Sequence, residues 1–261
     1  LNNLKKFADI FIEKTGYRLI RKSSIEKMSE VAEDSYAFKE RMRFLMETSS
    51  SPTSRNLLEA IINSKSQLSQ DLLVIEKNSF KRGGYFVEIG VGDGVFLSNT
   101  HLLEKHFGWT GILAEPSKKF YNSIIENRTA NFTNKIIAHK SGDLIKFNEH
   151  KVGELSGTHE IGAKDIIDEY MVTSLSLLDL LRNFEAPNYI DYLSIDTEGS
   201  EYSILEGFNF KEFSFGIISV EHNFSQSRSS IQSLLKSKGY IRIASGLSKF
   251  DDFYINQEKY D

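Results

Sequence analysis

The chain has 261 residues, 40% of them hydrophobic, and carries a formal net charge of −4. That is enough apolar material for one substantial core and no electrostatic footprint for nucleic acid, which is excluded as a partner. Cysteine is absent, so disulfides, thiolate metal sites and a cysteine nucleophile are excluded as well. No apolar run reaches the roughly 20 residues that span a bilayer, and no signal-like apolar core follows Leu1; the expected location is cytoplasmic.

In chain order, residues 1–65 read as a helical N-terminal extension and 66–261 as the main domain. Leu4, Phe7 and Phe11 share one helical face, and Met28, Val31, Phe38, Met42 and Leu45 recur at helical spacing until Ser49-Ser50-Ser51-Pro52 breaks the pattern. Such an appendage suits packing on the main domain or on a second copy of the chain, which makes a homo-oligomer an expectation. Lys5, Lys6, Arg18, Arg21 and Lys22 make it locally basic, so peripheral contact with a membrane surface is the alternative. From Gln67 onward strands alternate with helices, the order of a mainly parallel sheet. Expected strands are 86–90, 111–115, 136–138, 189–196, 215–221, 240–244 and 252–255, the last two closing the sheet as a hairpin. Expected helices lie around 100–107, after Pro116, over 200–206 and around Ile231-Leu235, where Gly239 ends it.

Two segments carry the chemistry. Tyr85-Phe86-Val87-Glu88-Ile89-Gly90-Val91-Gly92-Asp93-Gly94 is a buried strand entering a loop with glycine at alternate positions. Gly90 and Gly92 let the backbone turn tightly and approach a ligand, and Glu115 at the tip of the next strand is placed to accept hydrogen bonds from a ribose diol. The third glycine arrives one residue early for a dinucleotide fingerprint, which disfavours nicotinamide and leaves an adenosyl ligand without pyrophosphate. The second segment, Tyr192-Leu193-Ser194-Ile195-Asp196-Thr197-Glu198-Gly199-Ser200-Glu201, is another buried strand ending in carboxylates. In a doubly wound sheet ligands bind beyond the carboxyl ends of the strands, so both segments face one crevice.

The run Phe86-Val87-Glu88-Ile89-Gly90, followed by Asp93-Gly94, Leu97-Ser98-Asn99-Thr100, Leu103-Glu104, Gly108-Trp109-Thr110-Gly111-Ile112-Leu113 and Glu115-Pro116, resembles the FkbM family of S-adenosylmethionine-dependent methyltransferases. Ser69-Gln70-Asp71-Leu72 upstream, and Asn127-Arg128, Ser174-Leu175, Ile190 to Glu201 and Val220-Glu221-His222-Asn223 downstream, continue the resemblance across Gln67 to Ile255. It implies a Rossmann-like, doubly wound, mostly parallel seven-stranded sheet of the class I methyltransferase type. It also implies methyl transfer to an oxygen, such as a sugar hydroxyl of a glycan or small molecule. Glu88, Gly90, Gly92 and Asp93 would then line the methionine and ribose part of the cofactor and Glu115 its ribose. Ser141 and Asp143 fall near the adenine by strand position. Members of the family often carry aspartate where this chain has Glu88 and alanine where it has Val91. The alternatives are a nicotinamide-dependent enzyme on the same fold and a non-catalytic binding or scaffold protein.

A sulfonium already provides a good leaving group, so the enzyme's tasks are alignment and removal of the acceptor's proton. Asp196 and Glu198 at the end of one central strand, with Glu221 and His222 at the end of its neighbour, are the candidates for base and orienter. Asp196 and Glu221 with His222 or Asn223 also resemble, by strand position, the site of magnesium-dependent catechol-type methyltransferases, which makes magnesium a second means of activating that oxygen. For Glu198 and Glu201 the alternative role is to cap the next helix. Residues 142–171, with Glu154, Ser156, His159 and Glu160, and the loop 224–230 are candidate acceptor-binding segments. Phe107 and Trp109 are assigned to the core.

Overall fold

The structure, a computed structural model, describes residues 36–151, 156–158, 165–246 and 248–260. The chain divides into two compact units between Ile62 and Asn63, three residues before the boundary expected from the sequence. In the first unit residues 36–48 are helical, and a helix over Pro52–Asn63 begins in it after the expected break at Ser49-Ser50-Ser51. The helical faces and basic residues expected before residue 36 lie outside the described residues. None of the described helices is long and apolar enough to cross a membrane.

The second unit contains the predicted sheet. Its strands are β1 (Tyr85–Ile89), β2 (Thr110–Ala114), β3 (Asn131–Thr133), β4 (Ile136–Ala138), β5 (Leu144–His150), β6 (Ile166–Ser176), β7 (Tyr189–Ile195), β8 (Ser214–Glu221), β9 (Tyr240–Ile243) and β10 (Asp251–Asn256). Seven of them form one sheet in the order β3-β2-β1-β7-β8-β10-β9. β1 pairs in parallel with both β2 and β7, and β7 with β8, while β10 runs antiparallel between β8 and β9. The sequence therefore anticipates the terminal hairpin but misassigns one strand. Ile136–Ala138 joins β5 and β6 in a separate three-stranded sheet, and the unexpected Asn131–Thr133 takes the edge of the main one. Three residues give too short a pattern to distinguish the two.

The central strands are apolar almost throughout because both of their faces are covered. Val87 and Ile89 of β1, Ile112 of β2 and Leu193 and Ile195 of β7 form one core with Leu180, Leu181, Leu205, Ile231 and Leu235 of the helices Leu177–Asn183, Glu201–Glu206 and Ser227–Ser237. The alternate residues Phe86, Glu88 and Leu113 are buried too. Trp109 belongs to the interior, as the sequence suggests, with its Nε1–H donating to the Lys81 carbonyl at 2.8 Å. The order of strands reverses between β1 and β7, and a ligand crevice opens beyond that point.

Candidate active site

The switch point is built by backbone contact between the tips of β1 and β7. Asp196 N–H donates to the Ile89 carbonyl at 2.9 Å. Gly90 adopts φ +81°, and a β-carbon there would sit 1.7 Å from the Asp196 carbonyl oxygen. Only glycine satisfies both the conformation and the approach. Gly92 also has positive φ, +56°, but faces open space. Glu115, just beyond β2, holds this turn: one carboxylate oxygen accepts from Val91 N–H at 3.1 Å and Gly92 N–H at 2.9 Å, and the other accepts from Ser117 N–H at 2.8 Å. Burial outweighs these bonds and pushes its carboxyl up to about 7.

Glu88 reaches the same region from below. It accepts from Ser98 Oγ at 3.0 Å, Asn99 N at 2.6 Å and Thr100 Oγ1 at 2.5 Å, with the Arg128 guanidinium at 3.7 Å. Burial raises its carboxyl, opposed by Arg128. Asp93 caps the loop instead of facing the crevice: its Oδ1 accepts from Val95 N–H at 2.8 Å and Phe96 N–H at 2.7 Å.

Opposite the glycine turn stand the carboxylates. Asp196 follows β7, Glu221 ends β8, and Glu198 sits in the turn between β7 and the next helix at φ +56°. Asp196, Glu198 and Glu221 each place an oxygen within 4.8 Å of the others. Asp196 and Glu221 are hydrogen-bonded to each other. Burial first, then the Glu221 charge, raises Asp196 well above the usual carboxylate range, and burial is also the main cause that raises Glu221. Such a pair keeps one proton between its two carboxyls. Glu221 is 9% exposed, and its Oε2 is buried with no partner. Glu201 turns back onto the preceding loop instead of capping the helix: its Oε1 accepts from Thr197 N–H, Thr197 Oγ1 and Gly199 N–H at 2.9–3.0 Å, fixing the turn that carries Glu198.

A cavity of ≈ 310 Å³ joins these groups. Gly90, Gly92 and Glu115 line one end, Asp196, Glu198 and Glu221 the other, and Ile136, Ile137 and Phe147 an apolar wall. Among the described residues, Lys135 is the one basic residue of the lining.

Three further expectations are corrected. His222 does not join Asp196 and Glu221 as catalytic group or metal ligand. Its Nδ1 accepts from Phe224 N–H at 3.0 Å and its Nε2 points toward Asp252, 3.8 Å away. Successive residues of a strand project to opposite faces, so Glu221 and its neighbour cannot both face the crevice. Ser141 and Asp143 do not line the cavity. Ser141 Oγ donates to Asp179 and accepts from Ser176 N–H at 2.8 Å, while Asp143 lies exposed beside Lys140 at 3.4 Å. This stretch turns away into β5, and Phe147 on that strand reaches the cavity in its place.

Residues 142–171 contribute the β5–β6 hairpin, and Ser156 lines the cavity; Glu154, His159 and Glu160 lie outside the described residues. Asp251 and Gln70 were not anticipated. Asp251 lies across from Glu221 in the β8–β10 ladder and accepts from Gln70 Nε2 at 2.7 Å. Antiparallel pairing of the last strand with β8 was the available signal, since it brings Asp251 to the Glu221 tip.

The sequence profile of the Methyltransferase FkbM domain family matches residues 88–242. No curated protein matches the chain. Among solved structures, Methyltransferase FkbM from Methylobacillus flagellatus KT is similar over 82% of this chain and 57% of its own, at 10% identity and a TM-score of 0.45. Precorrin-6y C5,15-methyltransferase from Geobacter metallireducens GS-15 is similar over 71% of this chain and 84% of its own, at 10% identity and 0.40. A ribosomal protein L11 methylase from Lactobacillus delbrueckii subsp. bulgaricus is similar over 71% and 74%, at 10% identity and 0.36.

Proposed function

Because the chain belongs to the methyltransferase FkbM domain family, we propose that it is an S-adenosylmethionine-dependent O-methyltransferase acting on a hydroxyl of a saccharide or related small molecule. The observation that carries this reading is the hydrogen-bonded Asp196–Glu221 pair, which shares one cavity with the glycine turn and Glu115.

The residues present fit a sulfonium nucleoside. Glu115 offers a carboxylate at the cavity wall, Gly92 leaves the backbone open beside it, and Ile136, Ile137 and Phe147 provide apolar surface. The singly ionised Asp196–Glu221 pair and Glu198 supply negative charge for a cationic centre. When bound, the cofactor supplies an electrophilic methyl carbon with a neutral leaving group. The chain's own residues do the rest. A hydroxyl is a weak nucleophile until its proton leaves, and the singly ionised Asp196–Glu221 pair is the base that takes it, with Glu221 Oε2 as the unpartnered acceptor atom. Burial of the pair raises its affinity for that proton toward the neutral range, where a base works without being permanently protonated.

The same orphaned oxygen and the three clustered carboxylates favour a second reading, in which Asp196, Glu198 and Glu221 hold a magnesium ion that activates the acceptor oxygen. His222 has no part in it.

Transfer of labelled methyl from S-adenosylmethionine to a panel of saccharides tests both. Asp196→Asn is expected to keep cofactor binding and to lose about 10²–10⁴-fold in turnover, the usual contribution of a general base. Unchanged turnover would remove the pair from catalysis, whereas cofactor binding without turnover on any acceptor would favour a binding protein. Loss of activity with chelator and recovery with magnesium selects the metal; indifference selects the base.

A further inference from the structure

Phe96 is not used by cofactor binding or proton removal. It is 63% exposed and lines the cavity that holds Asp196, Glu198 and Glu221. A single exposed aromatic is ordinary on a surface, but this one stands on a fixed loop. Its N–H is held by Asp93 Oδ1 at 2.7 Å, and its neighbour Leu97, at φ +61°, forms a bridge with Ser66. From Ser66 the chain passes Gln67, which lines the cavity, to Gln70, whose side chain binds Asp251 across from Glu221. The loop carrying the ring is therefore tied by consecutive contacts to the acidic end of the cavity.

Resting on the methyl-transfer reading, we propose that Phe96 is the acceptor-binding platform: the substrate is a ring compound that lays its apolar face on Phe96 and turns a hydroxyl of its edge toward Asp196 and Glu221. Aromatic side chains hold flat or C–H-lined faces at little conformational cost and leave polar edges free for hydrogen bonding. Both a pyranose and a phenolic ring have this chemistry. A ringless polyol does not.

The experiment uses the full chain with S-adenosylmethionine and three probes: methyl hexopyranosides, catechol and glycerol. The chain's single tryptophan, Trp109, is buried, so Phe96→Trp introduces an exposed indole whose emission reports stacking. A shift with glycosides identifies a saccharide site, and a shift with catechol alone a phenolic one. For the ring probe that binds, Phe96→Ala is expected to weaken its Kd, and its KM where it is methylated, by about tenfold, equivalent to about 1.4 kcal/mol. S-Adenosylmethionine affinity should stay unchanged, and Phe96→Tyr should restore the acceptor. Phe224→Ala serves as control, because Phe224 is 73% exposed but packs edge-on against His222 and does not line the cavity. No emission change with either ring probe, an unaltered acceptor constant in Phe96→Ala, or glycerol bound as well as the rings would overturn the assignment. Absence of S-adenosylmethionine binding in the wild type would instead sink the methyl-transfer reading itself.

Discussion

Gly90 and Gly92 are two residues apart in one turn, yet they are constrained by different forces. At Gly90 both the left-handed backbone and the Asp196 carbonyl forbid a side chain; at Gly92 only the backbone does. Gly90→Ala should therefore cost about 3 kcal/mol or more, the sum of backbone strain and overpacking, while Gly92→Ala should cost about 1–2 kcal/mol. Urea denaturation of both variants checks the order, and equal losses would contradict it. Glu115 gives a pH-dependent expectation. Its carboxyl titrates at about 7 in the folded chain against an ordinary value of 4.5. The folded state thus holds the proton more tightly, and this contribution to stability is full below the lower value and lost as pH rises through the higher one. Removing the ionisable group by Glu115→Gln should make the variant's Tm, relative to wild type, climb between about pH 5 and about pH 8; a flat difference would show that the carboxyl is not raised. Gly90 and Glu115 were legible because a strand followed by glycine, and an acid at the next strand's tip, are local patterns. His222 was not, because its side of the sheet depends on where β8 ends. Ser141 and Asp143 were misplaced because the hairpin that redirects the chain has no signal at those positions.

Between elements, Arg128 is the principal fastener. Its side chain is fully buried and donates to Glu104 at 2.7 Å, Thr100 Oγ1 at 2.8 Å, the Gly94 carbonyl at 3.0 Å and Ser98 Oγ at 3.1 Å. It joins the end of the helix Tyr121–Asn127 to the glycine loop and to the start of the helix His101–Phe107. Arg128→Ala leaves Glu104 and Glu88 buried without their cation and should destabilise the chain by about 3–5 kcal/mol. A loss below about 1 kcal/mol, the level of an exposed ion pair, would show that the network is not held together by that charge. The β-strands at the sheet centre and the helix before β2 were readable from apolar runs. The Arg128 network was not: its members are scattered from Glu88 to Thr129, and only the folded arrangement reveals that one guanidinium serves them all.

For the whole molecule, the decisive feature is that a strand-order reversal brings the glycine turn and the acidic tips to one cavity. The parallel order of β1, β2, β7 and β8 follows from alternation of strand and helix. The insertion of β4, β5 and β6 as a second sheet does not, because β4 has only three residues and the largely exposed β6 lacks a regular alternation of burial. If the Asp196–Glu221 pair is the base, activity must follow its ionisation. Glu221 is pushed up to about 7 by burial, so kcat/KM should rise with pH through the neutral range, and an already flat profile from about pH 5 upward would exclude the pair as base. The most direct measurement is a calorimetric titration of S-adenosylmethionine into the wild-type chain and into Glu115→Ala. The account predicts one molecule bound per chain, with affinity reduced about tenfold or more in the variant. No binding to the wild type, or the same affinity in both, would contradict it.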